Sequence, residues 1–327
     1  MTQNFSEDEL LPYKLSGLLY APAINLSFAE KIINKKYPSL TSTAFCLEDS
    51  IMDDALHKAE SALVNTLEFI RKNVSSYDDL PLIFVRIRTP QHMEYIHNLL
   101  GDNENIITGY ILPKFDLSNA KKYREIIVRL NQNREKKLYI MPILESRMIA
   151  YKSTRLNILL AVKEIINDMS EYVLNIRVGG NDFSNIYGLR RSINQTIYDI
   201  GVIRDILVDI INVFASDYVV SGAVWEYFGD NPDDEWAEGL KRELTLDHLN
   251  GFTGKTAIHP SQLPVIYESM KVSRNDYNDA VQILNWQSDN LGVSKSDNGS
   301  RMNEVKCHSK WARRIKIMGD IYGIKEN

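Results

Sequence analysis

Eight short apolar runs, each followed by a stretch of helical periodicity, constrain this sequence more than any other feature. The runs are SGLLYAPA (16 to 23), TSTAFCLE (41 to 48), PLIFVRIR (81 to 88), ITGYILPK (107 to 114), KLYIMPILE (137 to 145), YVLNIRVGG (172 to 180), DYVVSGAVW (217 to 225) and TAIHPS (256 to 261). Apolar runs of this length read as buried strands. Between them, DDALHKAESALVNTLEFIRKN sets Ala55, Ala59, Ala62, Leu63 and Thr66 on one helical face, and TIYDIGVIRDILVDIINVF does the same with longer side chains. Strand then helix, eight times, is the order of a (β/α)8 TIM barrel. An open doubly wound sheet shares that order. Eight units in roughly 260 residues suit the barrel, and no Gly-rich dinucleotide-binding turn follows the first strand. The helix around MEYIHNLLGD is expected to be the shortest. No stretch rich in Pro, Gly or Ser interrupts the chain before residue 290, which predicts one barrel domain over 1–289. Residues 290–327 are expected to be a C-terminal extension, a polar loop and then a helix with apolar Trp311, Ile315 and Met318, suited to act as a lid or oligomer contact.

With 44% hydrophobic and 25% charged residues, the 327-residue chain can bury a large core. Its formal net charge of -5 and the lack of a long basic run argue against nucleic acid and anionic membrane as partners. Cys46 and Cys307 lie too far apart for a disulfide framework or a zinc spacing, so a reducing cytoplasm is the expected location. The acidic start MTQNFSEDELLPYK does not read as a signal peptide, and nowhere do ~18 uncharged apolar residues run together.

Barrel enzymes work at the C-terminal ends of their strands. Here those ends carry Pro22, Glu48 with Asp49, Arg86 with Arg88, Lys114, Glu145, Asp182, Trp225 with Glu226, and His259. Strands also stop where polarity begins, so any one of these residues has a bland explanation. The set as a whole would repel or pair wastefully at one mouth unless an ion or anionic ligand organised it. Glu145 and Asp182 each end an apolar run and are the natural metal pair. Two carboxylates with room for water and substrate oxygens suit Mg²⁺, and no His or Cys stands at these positions to favour zinc. Gly179 and Gly180 remove side chains where a ligand must come close, just before Asp182. The alternative is a turn with Asp182 capping the next helix. Arg86 and Arg88 share a parity, and both are expected to face the mouth because the helix layer would bury two cations. A guanidinium there can clamp a carboxylate or steady an enolate oxygen. Lys114 offers a further cation, with an exposed loop lysine as its alternative. GFTGKTAIHPSQ is not a P-loop, because its spacing is short and it precedes a strand.

These motifs, taken in order, resemble the citrate lyase beta-subunit and malyl-CoA lyase group of aldolases, the HpcH/HpaI family. The matches run from about residue 16 to 285: LLYAPA, CLEDSIMDDALHKA, VRIR, ILPK, ILES, GGNDFS and GFTGKTAIHPSQ. The tail SRMNEVKCHSKWARR is similar to a branch found beside tellurite-resistance and stress-response genes. The resemblance implies a TIM barrel of the phosphoenolpyruvate-binding type, and cleavage or formation of a carbon–carbon bond through an enolate. It also implies Mg²⁺ on Glu145 and Asp182, and Arg86 at the enolate oxygen. Glu48 and Asp49 would line the site and orient that arginine, with Lys114 in support, and Arg88, Gly179, Gly180 and His259 would contact substrate. Trimers or hexamers, with a C-terminal segment closing over a neighbour's site, are usual in the family. The chain departs from the pattern at Cys46, where relatives have Asp, at Arg88, where they have Asn, and across SGAVWEYFGDNPDDEW. The extra cation predicts a small carboxylate substrate more anionic than citryl-CoA or malyl-CoA, phosphorylated or nucleotide-linked, or a different acyl carrier. Two alternatives stand beside a lyase: a non-catalytic ligand-binding subunit of a stress-response complex, and a CoA-ester thioesterase or synthase.

Overall fold

The computed structural model describes residues 5–287, 290–296 and 299–325. Each apolar run forms a strand, shorter than the run itself: β1 (Gly17–Pro22), β2 (Ser42–Cys46), β3 (Leu82–Arg86), β4 (Gly109–Leu112), β5 (Tyr139–Leu144), β6 (Ile176–Val178), β7 (Val220–Ser221) and β8 (Lys255–Ala257). All neighbours pair in parallel, in the order β7-β6-β5-β4-β3-β2-β1-β8. An open sheet and a barrel differ only in what the two end strands do. Here they meet, through a parallel bridge between Gly222 and Lys255 and hydrogen bonds from Gly222 N to Gly254 O (2.9 Å) and Thr253 N to Val220 O (2.8 Å). The sheet closes, and the fold is a (β/α)8 barrel.

The helices follow the strands round the outside. They are α1 (Glu7–Leu10), α2 (Ser27–Ile33), α3 (Leu56–Asn73), α4 (Pro90–Leu100), α5 (Ala120–Leu130), α6 (Arg147–Ala150), α7 (Lys152–Asn167), α8 (Gly180–Ile186), α9 (Gly201–Phe214), α10 (Glu235–Leu249), α11 (Gln262–Ser269), α12 (Arg274–Leu284) and α13 (Val305–Tyr322). On α3 the buried positions Ala59, Ala62, Leu63, Thr66, Leu67 and Ile70 follow the helical period read from the sequence. The helix at MEYIHNLLGD is not the shortest: α4 has 11 residues and α2 has 7. Lys35, just past α2, turns to φ +48, and Pro38 follows, so that helix has no room to continue. Inside the barrel, Leu18, Ala44, Phe84, Ile111, Met141 and Ile143 form one buried cluster, so the lumen is a packed floor below the mouth.

The glycines and lysine of GFTGKT have a structural reason. Gly254 has φ +75, and a Cβ there would lie 2.6 Å from Ser16 O. Lys255 is fully buried and points to α10, pairing with Glu243 at 2.8 Å and Asp247 at 2.6 Å; Tyr198 Oη also donates to Asp247 (2.6 Å). This polar knot holds the last strand against its helix.

The expected domain boundary at 289/290 falls at residues 288–289, outside the described residues. Beyond it, a hairpin of β9 (Val293–Lys295) and β10 (Met302–Glu304) leads into α13, which packs on α12 through Ala280, Ile283 and Ala312. Arg314 Nη2 donates to Phe252 O (2.7 Å), ahead of β8, and Tyr322 Oη to Tyr13 O (2.5 Å), ahead of β1. The tail therefore rests on the N-terminal face of its own barrel, opposite the mouth. Among the described residues no helix is long and apolar enough to cross a membrane.

Lys255→Met leaves Asp247 as a buried acid without its cation and Glu243 with Arg191 alone. Chemical denaturation should show a loss of about 3–5 kcal/mol.

Candidate active site

Arg86, the last residue of β3, is 6% exposed and cannot lie in the barrel without counter-charges. The β2–α3 loop supplies two of them. Arg86 Nη2 lies 2.9 Å from Glu48 Oε2, 3.0 Å from Asp49 Oδ2 and 3.5 Å from Glu145 Oε1. The guanidinium also stacks over the Tyr20 ring at 5.6 Å, and its Nη1 reaches Cys46 Sγ at 4.0 Å. Burial works against the Arg86 cation, but Tyr20, Glu145 and Glu48 outweigh it and hold its pKa well up.

Lys114 joins from the loop after β4, pairing with Glu48 and lying 3.3 Å from Asp49. Its backbone is left-handed, φ +49, and this lets its own N–H donate to Glu145 Oε1 (2.8 Å) while the side chain turns to Glu48. Non-glycine residues rarely adopt that conformation. Glu145, just past β5, is 4% exposed. Burial raises its pKa to about 8, Arg86 opposes the rise, and Asp182 and Glu48 add to it. Asp182 stands in the first turn of α8 and interacts directly with Glu145; burial and Asp49 raise its pKa too. Two acids that resist ionisation side by side form a site for positive charge. A Cβ on Gly179 would collide with the Glu145 carboxylate, so this glycine lets β6 close on Glu145, and a Cβ on Gly180 would meet Ile197 and, at 2.7 Å, Ala223 Cβ, so that one lets α8 start against its neighbours.

Arg86, Glu145, Gly179, Gly180 and Asp182, with Asp49 at the edge, line a cavity of about 260 Å³ at the barrel mouth. A family model described as a C–C bond lyase of the TIM-barrel fold matches residues 9–324. The chain belongs to that family. Three solved structures illustrate the fold this C–C bond lyase shares. A citrate lyase from Burkholderia xenovorans LB400 is 14% identical with TM-score 0.68, covering 95% of this chain and 93% of that one. The protein CitE from Mycobacterium tuberculosis, in complex with magnesium, acetoacetate and coenzyme A, is 18% identical with TM-score 0.61, covering 95% and 100%. RipC from Yersinia pestis is 17% identical with TM-score 0.54, covering 80% and 98%. No curated protein sequence matches the chain.

Not every residue expected at the mouth of this C–C bond lyase lies there. Arg88 falls beyond β3 and turns onto the β2–α3 loop, donating to Leu47 O (2.7 Å) and Ile51 O (2.6 Å) and pairing with Asp53. The shared parity with Arg86 ends where the strand does. His259 stacks on Phe228 with ring centres 4.5 Å apart and bonds Ser261 Oγ (2.8 Å), away from the cavity. Trp225 is fully buried, its indole donating to Trp236 O (3.0 Å), and Glu226 pairs with Arg190. Conversely, Tyr20, Arg177 and Thr256 line the cavity and were not among the expected residues. The signal for Arg177 was present, since an arginine inside an apolar strand is buried on either face.

Because the folded-state pKa of Glu145 lies near 8 and its ordinary value is 4.5, the folded protein binds the extra proton between them. In metal-free buffer this group's contribution to stability should therefore be largest below pH 4.5 and disappear as pH rises through about 8. Glu145→Gln should flatten that part of the Tm-against-pH curve.

Proposed function

We propose that this C–C bond lyase is Mg²⁺-dependent and cleaves or forms a carbon–carbon bond next to the carbonyl of a small carboxylate substrate, through an enolate. The observation that carries the reading is the pair Glu145 and Asp182, whose carboxyls crowd one another at the cavity wall and both hold protons more tightly than ordinary acids. Among the described residues no group of three or more His, Cys, Asp or Glu is arranged to hold a metal. A two-carboxylate donor set leaves most positions to water and substrate oxygens, which suits Mg²⁺ and not a closed structural site. Magnesium also occurs in the CitE complex of the same fold.

Mg²⁺ held by Glu145 and Asp182 would supply the Lewis acidity that draws electron density from an oxo acid's carboxylate and carbonyl oxygens. The chain's own groups do the rest. Arg86 presents an unpartnered buried Nε and a weakly engaged Nη1 to oxygen charge that develops during reaction. Glu48 and Asp49 keep its planar head from rotating. Lys114 donates its backbone N–H to Glu145 Oε1, the oxygen that also faces Arg86, and so fixes the orientation of the carboxylate. Low-dielectric walls of Ile143, Val178 and Val224 strengthen each of these interactions. Two free cysteines, one buried and one exposed, fit a reducing cytoplasm.

Glu145→Ala and Asp182→Ala should each abolish Mg²⁺ binding by isothermal calorimetry; a variant that bound the ion with wild-type affinity would end this assignment. Gly179→Ala pushes on Glu145 without removing it, and should weaken Mg²⁺ binding by about ten- to hundred-fold.

A further inference from the structure

Arg177 stands in the middle of β6 and is 2% exposed. Its register partner on β5 is Ile143, which lines the cavity and belongs to the lumen cluster, so the arginine faces the lumen. Two residues below Gly179, it sits at the floor, about 6–7 Å deeper along the strand than the level of Glu145. Its Nη2 donates to Thr256 Oγ1 (2.7 Å), its Nη1 reaches Asn175 Oδ1 (3.5 Å), and its Nε has no partner. The Tyr20 hydroxyl also bonds it, and none of these partners is a carboxylate.

The other buried cations are different. Arg86 has Glu48 and Asp49, Arg155 has Asp205 and Asp209, Arg191 has Glu243, and Lys255 has Glu243 and Asp247. A buried charge without a counter-ion is destabilising. Burial accordingly presses the Arg177 pKa down, with Tyr20 the group that opposes it. An aliphatic residue would fill the same space without that penalty.

Resting on the proposed function, we infer that Arg177 is the anchor for a second anionic group of the substrate, a carboxylate or phosphate held at the cavity floor while the oxo-acid end meets Glu145, Asp182 and Arg86. The substrate class is then a small oxo acid with two anionic groups. A cavity of about 260 Å³ lies just below the range of ~300–1,000 Å³ for drug-sized ligands and matches that size. Arg177 acts on specificity: it distinguishes a dianion from a monoanion, because only the dianion supplies its missing counter-charge.

The test is calorimetric binding at saturating Mg²⁺ of pyruvate, oxaloacetate and phosphonopyruvate to the full chain. Wild-type protein should bind one of the dianions on the order of ten- to hundred-fold more tightly than pyruvate, the range of one charge-assisted hydrogen-bonded pair. Whichever dianion is preferred identifies carboxylate or phosphate as the second group. Arg177→Met should erase the preference, weakening the dianion on the order of ten- to hundred-fold and pyruvate by much less, and keep Tm at or above wild type. Arg177→Lys should recover part of the preference. A Met variant that keeps the preference, or that loses all three ligands equally with a lowered Tm, overturns the inference and makes Arg177 a packing residue. Wild-type binding without preference overturns it alone; wild type that binds no oxo acid overturns the proposed function and the inference with it.

Discussion

The charge on Arg86 organises the mouth of the barrel. A guanidinium buried at the end of β3 has to be neutralised, and the chain does this with acids from the two flanking directions, Glu48 and Asp49 from the β2–α3 loop and Glu145 from the end of β5. The neutralisation overshoots. Lys114 takes up part of the excess by reaching Glu48 and Asp49, yet Glu145 and Asp182 remain with raised pKa values, Glu145 near 8. A site built only for stability would have exchanged one of these acids for an amide. Instead the loops hold an acid pair in a state that a divalent cation relieves, beside an arginine whose remaining donors are free for a ligand.

Much of this was legible in the sequence because strand–helix alternation gives the barrel, and a barrel says where to look. Glu48, Asp49, Arg86, Lys114, Glu145 and Asp182 come together from five different strand ends, separated by up to 134 positions in the chain from Glu48 to Asp182. What the sequence hid is of two kinds. Arg88 and His259 depend on how a loop turns after the strand has ended, and period-two reasoning stops at Arg86. Arg177 was hidden differently: it stands inside β6, whereas barrel chemistry is expected at the strand ends. Arg88, expected as an extra cation beside Arg86, turns onto the β2–α3 loop; the further cation that lines the cavity is Arg177, one pleat below the rim.

Lys255 and Arg177 show two uses of a buried cation in one barrel. Lys255 points outward into the helix layer, where Glu243 and Asp247 close round it and the whole group joins β8 to α10. Its charge is matched within the chain, and the matching is what fastens the last strand of the barrel. Arg177 points inward, and the chain offers it a threonine, an asparagine and the Tyr20 hydroxyl but no acid. The same chemistry is complete in one place and open in the other. Openness at a cost in stability is what selection for binding leaves behind.

Lys114 connects these electrostatics to the backbone. A lysine at φ +49 costs of order 1 kcal/mol or more, and no turn in the loop requires it, since a glycine would adopt the same angles freely. Glycine would also keep the N–H that holds Glu145, so the backbone bond alone does not explain the residue. The side chain supplies what glycine lacks, a long cation that reaches Glu48 and Asp49 from that position. The strained conformation thus joins two tasks in one residue: the amide fixes the Glu145 carboxylate, and the ammonium balances the acids that hold Arg86. Because both tasks fall on the same backbone, the carboxylate that would meet the metal and the guanidinium that would meet the enolate are held in one rigid frame.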